Sequence, residues 1–174
     1  MKITSVETIS ATLPMKKPII TPHVTIGDLP LVIVKLLTDE GVTGIGEACP
    51  RRRSGSVETQ TTIIRIIKEL FEPFLIGEDP FNIEKIMRNL EKAAPNRLYA
   101  QCPISEALYD LIARAQNVAL YEVLGGLYRD KVAMSNTHSF GPTDEVVREC
   151  VRSLEAGYRQ IKLKLGKDPE LEVK

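Results

Sequence analysis

Residues 132–165 read as strand, helix, strand, and that order limits the possible topologies more than any other feature of the chain. Val132–Phe140 has strand character, and Gly141-Pro142 breaks it. Thr143 is placed to cap a helix, with Asp144 and Glu145 in a first turn where acids suit the helix dipole. Val146, Val147, Cys150, Val151 and Leu154 then recur at helical spacing. Gly157 closes the helix, and Gln160–Leu165 returns as a strand. A βαβ unit makes its two strands parallel, and parallel strands are normally covered on both faces.

The second strand carries Lys162 and Lys164 on one face and Ile161, Leu163 and Leu165 on the other. Alternation puts the two lysines roughly 7 Å apart along the backbone. A solvated edge strand would account for them. In an open sheet their face would lie under helices, a poor place for two charges. In a closed (β/α) barrel it would point inward, near the mouth, with Gly166 marking the strand's C-terminal end. If that surface is enclosed, mutual repulsion and desolvation favour a neutral amine in at least one lysine, which suits a general base. Asp168 and Pro169 should open a further helix. One βαβ unit cannot close a barrel, so the expectation is a truncated βα pattern.

Upstream, residues 2–13 read as a strand and Pro14–Asp28 as a long loop. Leu29–Thr38 and Val42–Ala48 form a hairpin around Asp39-Glu40-Gly41. Helices follow. Ser56 should cap the first, whose apolar side holds Ile63, Ile64, Ile67, Leu70 and Phe71. Asp79-Pro80 should open the second and Pro103 the third, and a short helix stops at Gly125-Gly126. Strands followed by helices predict an α+β domain over residues 1–129, with the βαβ unit occupying 130–174.

Lys plus Arg and Asp plus Glu both number 23 in 174 residues, which leaves no electrostatic footprint for nucleic acid. No apolar run is long enough to span a membrane, and Met1–Glu7 does not begin a secretory signal. Cys49, Cys102 and Cys150 are too few and too widely spaced for a metal or redox motif, and suit a reducing cytoplasm. Asp39 and Glu40 fit a solvated turn better than a metal cluster, and Glu47 remains ambiguous. Arg51-Arg52-Arg53 is either a solvated loop or an anion contact. His23 and His138 have no partner spacing for a metal, and alternation turns His138 away from the face of Thr137.

Four segments, in this order, resemble the muconate-lactonizing (muconate cycloisomerase and mandelate racemase-like) branch of the enolase superfamily. They are Thr38–Ala48, Glu106–Leu111, Leu120–Gly126 and Gly157–Gly166. The resemblance covers essentially the whole chain and implies an α+β capping domain followed by the start of a TIM-type barrel. It implies an isomerase that moves a proton next to a carboxylate, with Mg²⁺ stabilising the enolate. Lys164 resembles the acid/base residue and Lys162 its assisting neighbour. Thr137 resembles a substrate-contacting position, and the loops holding His23 and Arg51–Arg53 resemble those that cover the substrate. The family's metal carboxylates lie on later barrel strands, so this chain by itself should lack them and should be inactive alone. Dipeptide epimerases, amino-acid racemases and dehydratase-type relatives share these early motifs. A non-catalytic fragment, or one half of a split assembly, is the rival from another class. The expected partners are a small carboxylate substrate and a second copy of the chain.

Overall fold

A computed structural model describes residues 1–20, 24–50 and 58–166. Three strands, β1 (Ile3–Ile20), β2 (Thr25–Thr38) and β3 (Thr43–Ala48), form one sheet in that order. β2 and β3 are antiparallel, with Val34 opposite Gly46 and Leu36 opposite Gly44. Gly41 makes the turn at φ +77°, and Thr38 closes it by exchanging hydrogen bonds with the backbone of Val42. Most of the segment 14–28, expected to be a loop, is instead strand. β1 lies at the edge of the sheet, where Pro14 and Pro18 are tolerated.

The helices are α1 (Gln60–Arg65), α2 (Glu72–Leu75), α3 (Ile83–Ala93), α4 (Leu98–Gln116) and α5 (Leu120–Val123). Thr59 caps α1 through its side chain, while the expected cap, Ser56, lies outside the described residues. Between α1 and α2, Ile66–Phe71 forms a π-helical turn, in which the Glu72 N–H reaches back five residues to the Ile67 carbonyl. The wider turn shifts the apolar phase. Ile66 and Phe71 are therefore buried, whereas Leu70, expected on the inner face, is exposed.

α3 begins at Ile83 rather than at Asp79-Pro80, because the Asp79 carboxylate accepts from the Phe81 N–H and holds a separate turn. α4 begins at Leu98 and contains Pro103. Its early start has a specific support: the buried Glu58 carboxylate accepts the N–H groups of Tyr99 and Ala100 at 3.4 and 3.0 Å. The Ala100 amide also reaches the Arg97 carbonyl at 3.1 Å, while first-turn amides such as that of Tyr99 lack an intrahelical acceptor, and a carboxylate suits the helix's positive end.

β3 and α4 are matched in pitch. Four helical residues rise about 6 Å and two strand residues advance about 6.6 Å. A Cβ on Gly46 would lie 2.0 Å from the Pro103 carbonyl oxygen, and one on Gly44 would lie 2.0 Å from that of Ala107. With no side chain at either position, the helix backbone rests directly on the strand. On the same repeat, Glu106 accepts the Glu47 N–H at 2.8 Å and Asp110 accepts the Ile45 N–H at 2.9 Å. The carboxylates thus satisfy an edge that would otherwise be open to another strand. Around this contact packs a continuous core that includes Val32, Val34, Leu36, Phe71, Leu90, Ile104 and Leu108.

The remaining elements are β4 (Ser135–His138), α6 (Thr143–Glu155) and β5 (Gln160–Leu163). β4 is shorter than the 132–140 span expected for it. The α6 cap position is Pro142, and Thr143 is the first helical residue. The two strands are parallel, with Thr137 opposite Lys162 and His138 opposite Leu163. Two compact units result. One comprises Met1–Leu13 and Pro30–Leu127; the other comprises Pro14–Leu29 and the chain from Tyr128 onward. The expected helix start at Asp168-Pro169 lies outside the described residues.

Candidate functional site

The strand pairing sorts the β4–β5 side chains onto two faces. Asn136 and His138 turn toward α6: the Asn136 Nδ2 donates to Ser153 Oγ at 2.8 Å, and His138 Nε2 lies 3.0 Å from the same oxygen. Alternation and register then place Thr137, Lys162 and Lys164 on the face away from α6. Thr137 and Lys162 are solvent-exposed and Lys164 is half-buried. The Lys164 N–H donates to the His138 carbonyl at 3.3 Å, so the ladder continues just past β5. Gly166, at φ +103°, ends it.

The tip of the long hairpin belongs to the same unit and meets the C-terminal end of β4. The Ile20 N–H donates to Ser139 Oγ at 3.2 Å, Ser139 Oγ–H donates to the Pro18 carbonyl at 3.3 Å, and the Phe140 N–H donates to the Ile20 carbonyl at 3.3 Å. Lys164 and the hairpin thus converge on His138–Phe140. The structure brings Thr137, Lys162 and Lys164 together. The other sequence candidates, His23, Arg51, Arg52 and Arg53, lie outside the described residues.

On the α6 side is a polar network that sequence reading missed. Lys17 pairs with Glu149 Oε1, and Glu149 Oε2 lies 3.3 Å from His138 Nδ1. Ser153 Oγ–H donates to the Glu149 carbonyl at 2.9 Å. Lys17 holds the Glu149 carboxyl below the usual carboxylate range, burial opposes that shift, and His138 adds to it. Ser153 already spends its proton on the Glu149 carbonyl while accepting from Asn136. Both ring nitrogens of His138 are thus engaged, Nδ1 by Glu149 and Nε2 by Ser153.

Serine, histidine and glutamate in this order resemble a nucleophile relay. However, Ser153 is buried and bonded to its own helix, and such a hydroxyl is held rather than activated. A sequence signal existed: Glu149 and Ser153 lie four apart, on one face of the helix next to the His138 strand.

Elsewhere, Cys102 Sγ lies 3.3 Å from Glu106. Although the residue is exposed, burial at the sulfur and then the carboxylate push its thiol up from 9.0 to about 11. Among the described residues, no group of three or more His, Cys, Asp or Glu side chains could hold a metal ion. The described residues do not form the Mg²⁺ site that the resemblance implies.

An antiparallel three-stranded sheet followed by this set of helices is the capping-domain fold of the enolase superfamily. The profile described as mandelate racemase / muconate lactonizing enzyme, N-terminal domain, matches residues 3–125, and the chain belongs to that family. It is 28% identical over 174 residues to the N-succinyl-L-Arg/Lys racemase of Bacillus cereus, an alignment covering 100% of this chain and 47% of that protein. It is 30% identical over 168 residues to muconate cycloisomerase 1 of Acinetobacter baylyi, covering 95% of this chain and 45% of that one. A solved dipeptide epimerase of Enterococcus faecalis, complexed with Mg and the dipeptide L-Leu-L-Tyr, superposes with a TM-score of 0.92 at 30% identity. That superposition covers 99% of this chain and 48% of the epimerase. The chain spans about half or less of the length of the curated relatives it matches, and those relatives include racemases, epimerases, cycloisomerases and a dehydratase. Among the described residues, no helix is long and apolar enough to cross a membrane.

Proposed function

We propose that the complete protein is an isomerase that transfers a proton at a carbon next to a carboxylate, with Lys164 as the acid/base residue and Lys162 as its electrostatic neighbour. Residues 1–129 then serve as the capping domain, and 130–174 as the opening βαβ unit of a (β/α) barrel. One observation carries the reading. Thr137, Lys162 and Lys164 share the sheet face that α6 leaves open, at the strand end where the hairpin tip also lies.

In a barrel the helix side of a strand is the outside, and the opposite face points to the axis. That geometry would aim Lys164 at a substrate held in the mouth. Thr137 stands beside it as a hydroxyl contact for the substrate. Arg51, Arg52, Arg53 and His23 are retained as substrate-side groups, since a guanidinium fits a carboxylate in bidentate fashion. Mg²⁺, with which the solved epimerase is complexed, is the cofactor consistent with this reading. Its ligands would have to come from outside the residues described.

The primary reading is a muconate cycloisomerase-like reaction. The racemase aligned over all 174 residues and the dipeptide complex favour, as a second reading, epimerisation of an acylated amino acid or dipeptide. Both readings use Lys164. The measurement is deuterium incorporation from solvent into muconate, N-succinyl amino acids and dipeptides, using the protein at its natural length. Lys164→Ala should lower exchange on the true substrate by about 10²–10⁴-fold, the usual contribution of a positioned acid/base. Lys164→Arg should not restore it, because a guanidinium keeps its proton. Exchange at the wild-type rate in a folded Lys164→Ala protein would return the lysine face to a structural role.

A further inference from the structure

The Pro14–Ile20 segment of β1 buries its apolar side chains only in part, with Met15 and Ile19 half-buried. Lys17 is two-thirds exposed, and Ile20 is exposed at 37%. Its described attachments to the βαβ unit are polar. The backbone and Ser139 bonds at Pro18 and Ile20 form one set. The other is the ion pair from Lys17 to Glu149. Glu149 is suited to the second task because its own position is fixed. Its second oxygen faces buried His138, and its helix is tied to β4 through Ser153 and Asn136. A carboxylate held from behind presents its other oxygen in a defined direction, which lessens the entropy lost when a flexible lysine engages it.

We propose that Glu149, held by His138, is a positioning residue that seats the Pro14–Ile20 segment of β1 at the C-terminal end of β4, beside Lys164. The order of contacts supports this: Lys17, Glu149 and His138 follow one another along one line, with the carboxylate held between the other two. The depressed Glu149 carboxyl is consistent with Lys17 as its main cause and the His138 contact as a lesser one. The consequence for turnover rests on the isomerase reading above. Loss of this contact beside Lys164 would then weaken substrate binding more than the chemical step.

The test reads the seat directly. Hydrogen exchange at the Ile20 and Phe140 amides is followed in the protein at its natural length, with the amides of α4 as the internal standard. Glu149→Gln should speed exchange at Ile20 and Phe140 about tenfold, with α4 unchanged, the scale of a charged hydrogen bond lost in part to solvent. Lys17→Met should give about threefold and leave the His138–Glu149 contact intact, so it decides the matter if Glu149→Gln perturbs α6 itself. Lys17→Arg should restore exchange to within about twofold of wild type, which a general packing defect would not do. Glu155→Gln removes the same charge from an exposed site on α6 and should change neither amide. Unchanged exchange in Lys17→Met, or equal acceleration by Glu155→Gln, would overturn the proposal. Where the isomerase assay has a substrate, Lys17→Met should raise KM more than it lowers kcat. Absence of any isomerase activity in the wild type would sink the functional reading and leave the exchange result standing.

Discussion

The two compact units hold themselves together by different means. In the first, the buried hydrophobic side chains form one continuous cluster, and Val34, Leu36, Phe71, Leu90 and Leu108 have no exposed surface at all. In the described part of the chain from Tyr128 onward, the buried residues are His138 and Ser153, both polar. The apolar side chains there face water: Val147 is 55% exposed, Leu154 49% and Leu165 58%. Apolar burial is the main favourable term in folding, so the first unit has its own core, and the second relies on a parallel ladder and a histidine-centred network. Competence to fold and chemical potential are thus divided. The region that packs well carries no described candidate for proton transfer, and the region that carries the lysines packs poorly by itself.

The sharpest way to break this comparison is to attack the strand–helix contact of the first unit. Gly46→Ala or Gly44→Ala forces a Cβ to within 2.0 Å of an α4 carbonyl oxygen. Backbone offers no rotamer escape, so either change should cost about 3 kcal/mol or more, read as a lowered midpoint in chemical denaturation. A loss below about 1 kcal/mol would show that α4 can move off the strand. Next in size is the contrast between the units. In the 174-residue chain, amides of α6 should exchange at least about 100-fold faster than those of α4, since local opening follows buried apolar contact. Equal protection would mean that the second unit is stabilised by something other than core burial.

The smallest effect concerns the edge of β3. The Cys102 thiol is pushed up to about 11 by burial and by Glu106. A raised value in the folded state favours the protonated form. The associated stability is therefore present below the ordinary value of 9.0 and is lost as pH rises toward about 11. At pH 8 Cys102 should react with iodoacetamide about tenfold more slowly than a free cysteine, although it is exposed. Glu106→Gln keeps an acceptor for the Glu47 amide but removes the charge, and labelling should accelerate. Unaltered labelling would assign the effect to burial alone.

Much of the first unit was legible in the sequence because its signals are local. The Asp39–Gly41 turn, the Gly125-Gly126 stop and the apolar stripe of α4 each depend on a few adjacent residues. The errors share a cause. Pro103 marks a helix start by local rule, yet α4 begins at Leu98, because the Glu58 carboxylate, distant along the chain, accepts amides of its first turn. Residues 14–20 and 25–28 include the turn-forming Pro14, Pro18 and Gly27, yet they are strand, because β1 and β2 pair with each other and Ile20 has the end of β4 to lie against. The π-helical turn reads as ordinary helix until packing selects Ile66 and Phe71 over Leu70.

The sequence by itself determined what depends on alternation and spacing. It placed Lys162 and Lys164 on one face, put His138 on the face opposite Thr137, and made β4 and β5 the parallel ends of a βαβ unit. Only the tertiary structure decided which of those faces α6 would cover. It also decided that Glu149 would link Lys17 to His138 across more than a hundred residues, and that two glycines would let a helix rest on a strand backbone. The physical reason is range. Periodicity and capping are settled by atoms a few bonds apart, whereas a shared carboxylate or a missing Cβ has meaning only once distant segments meet.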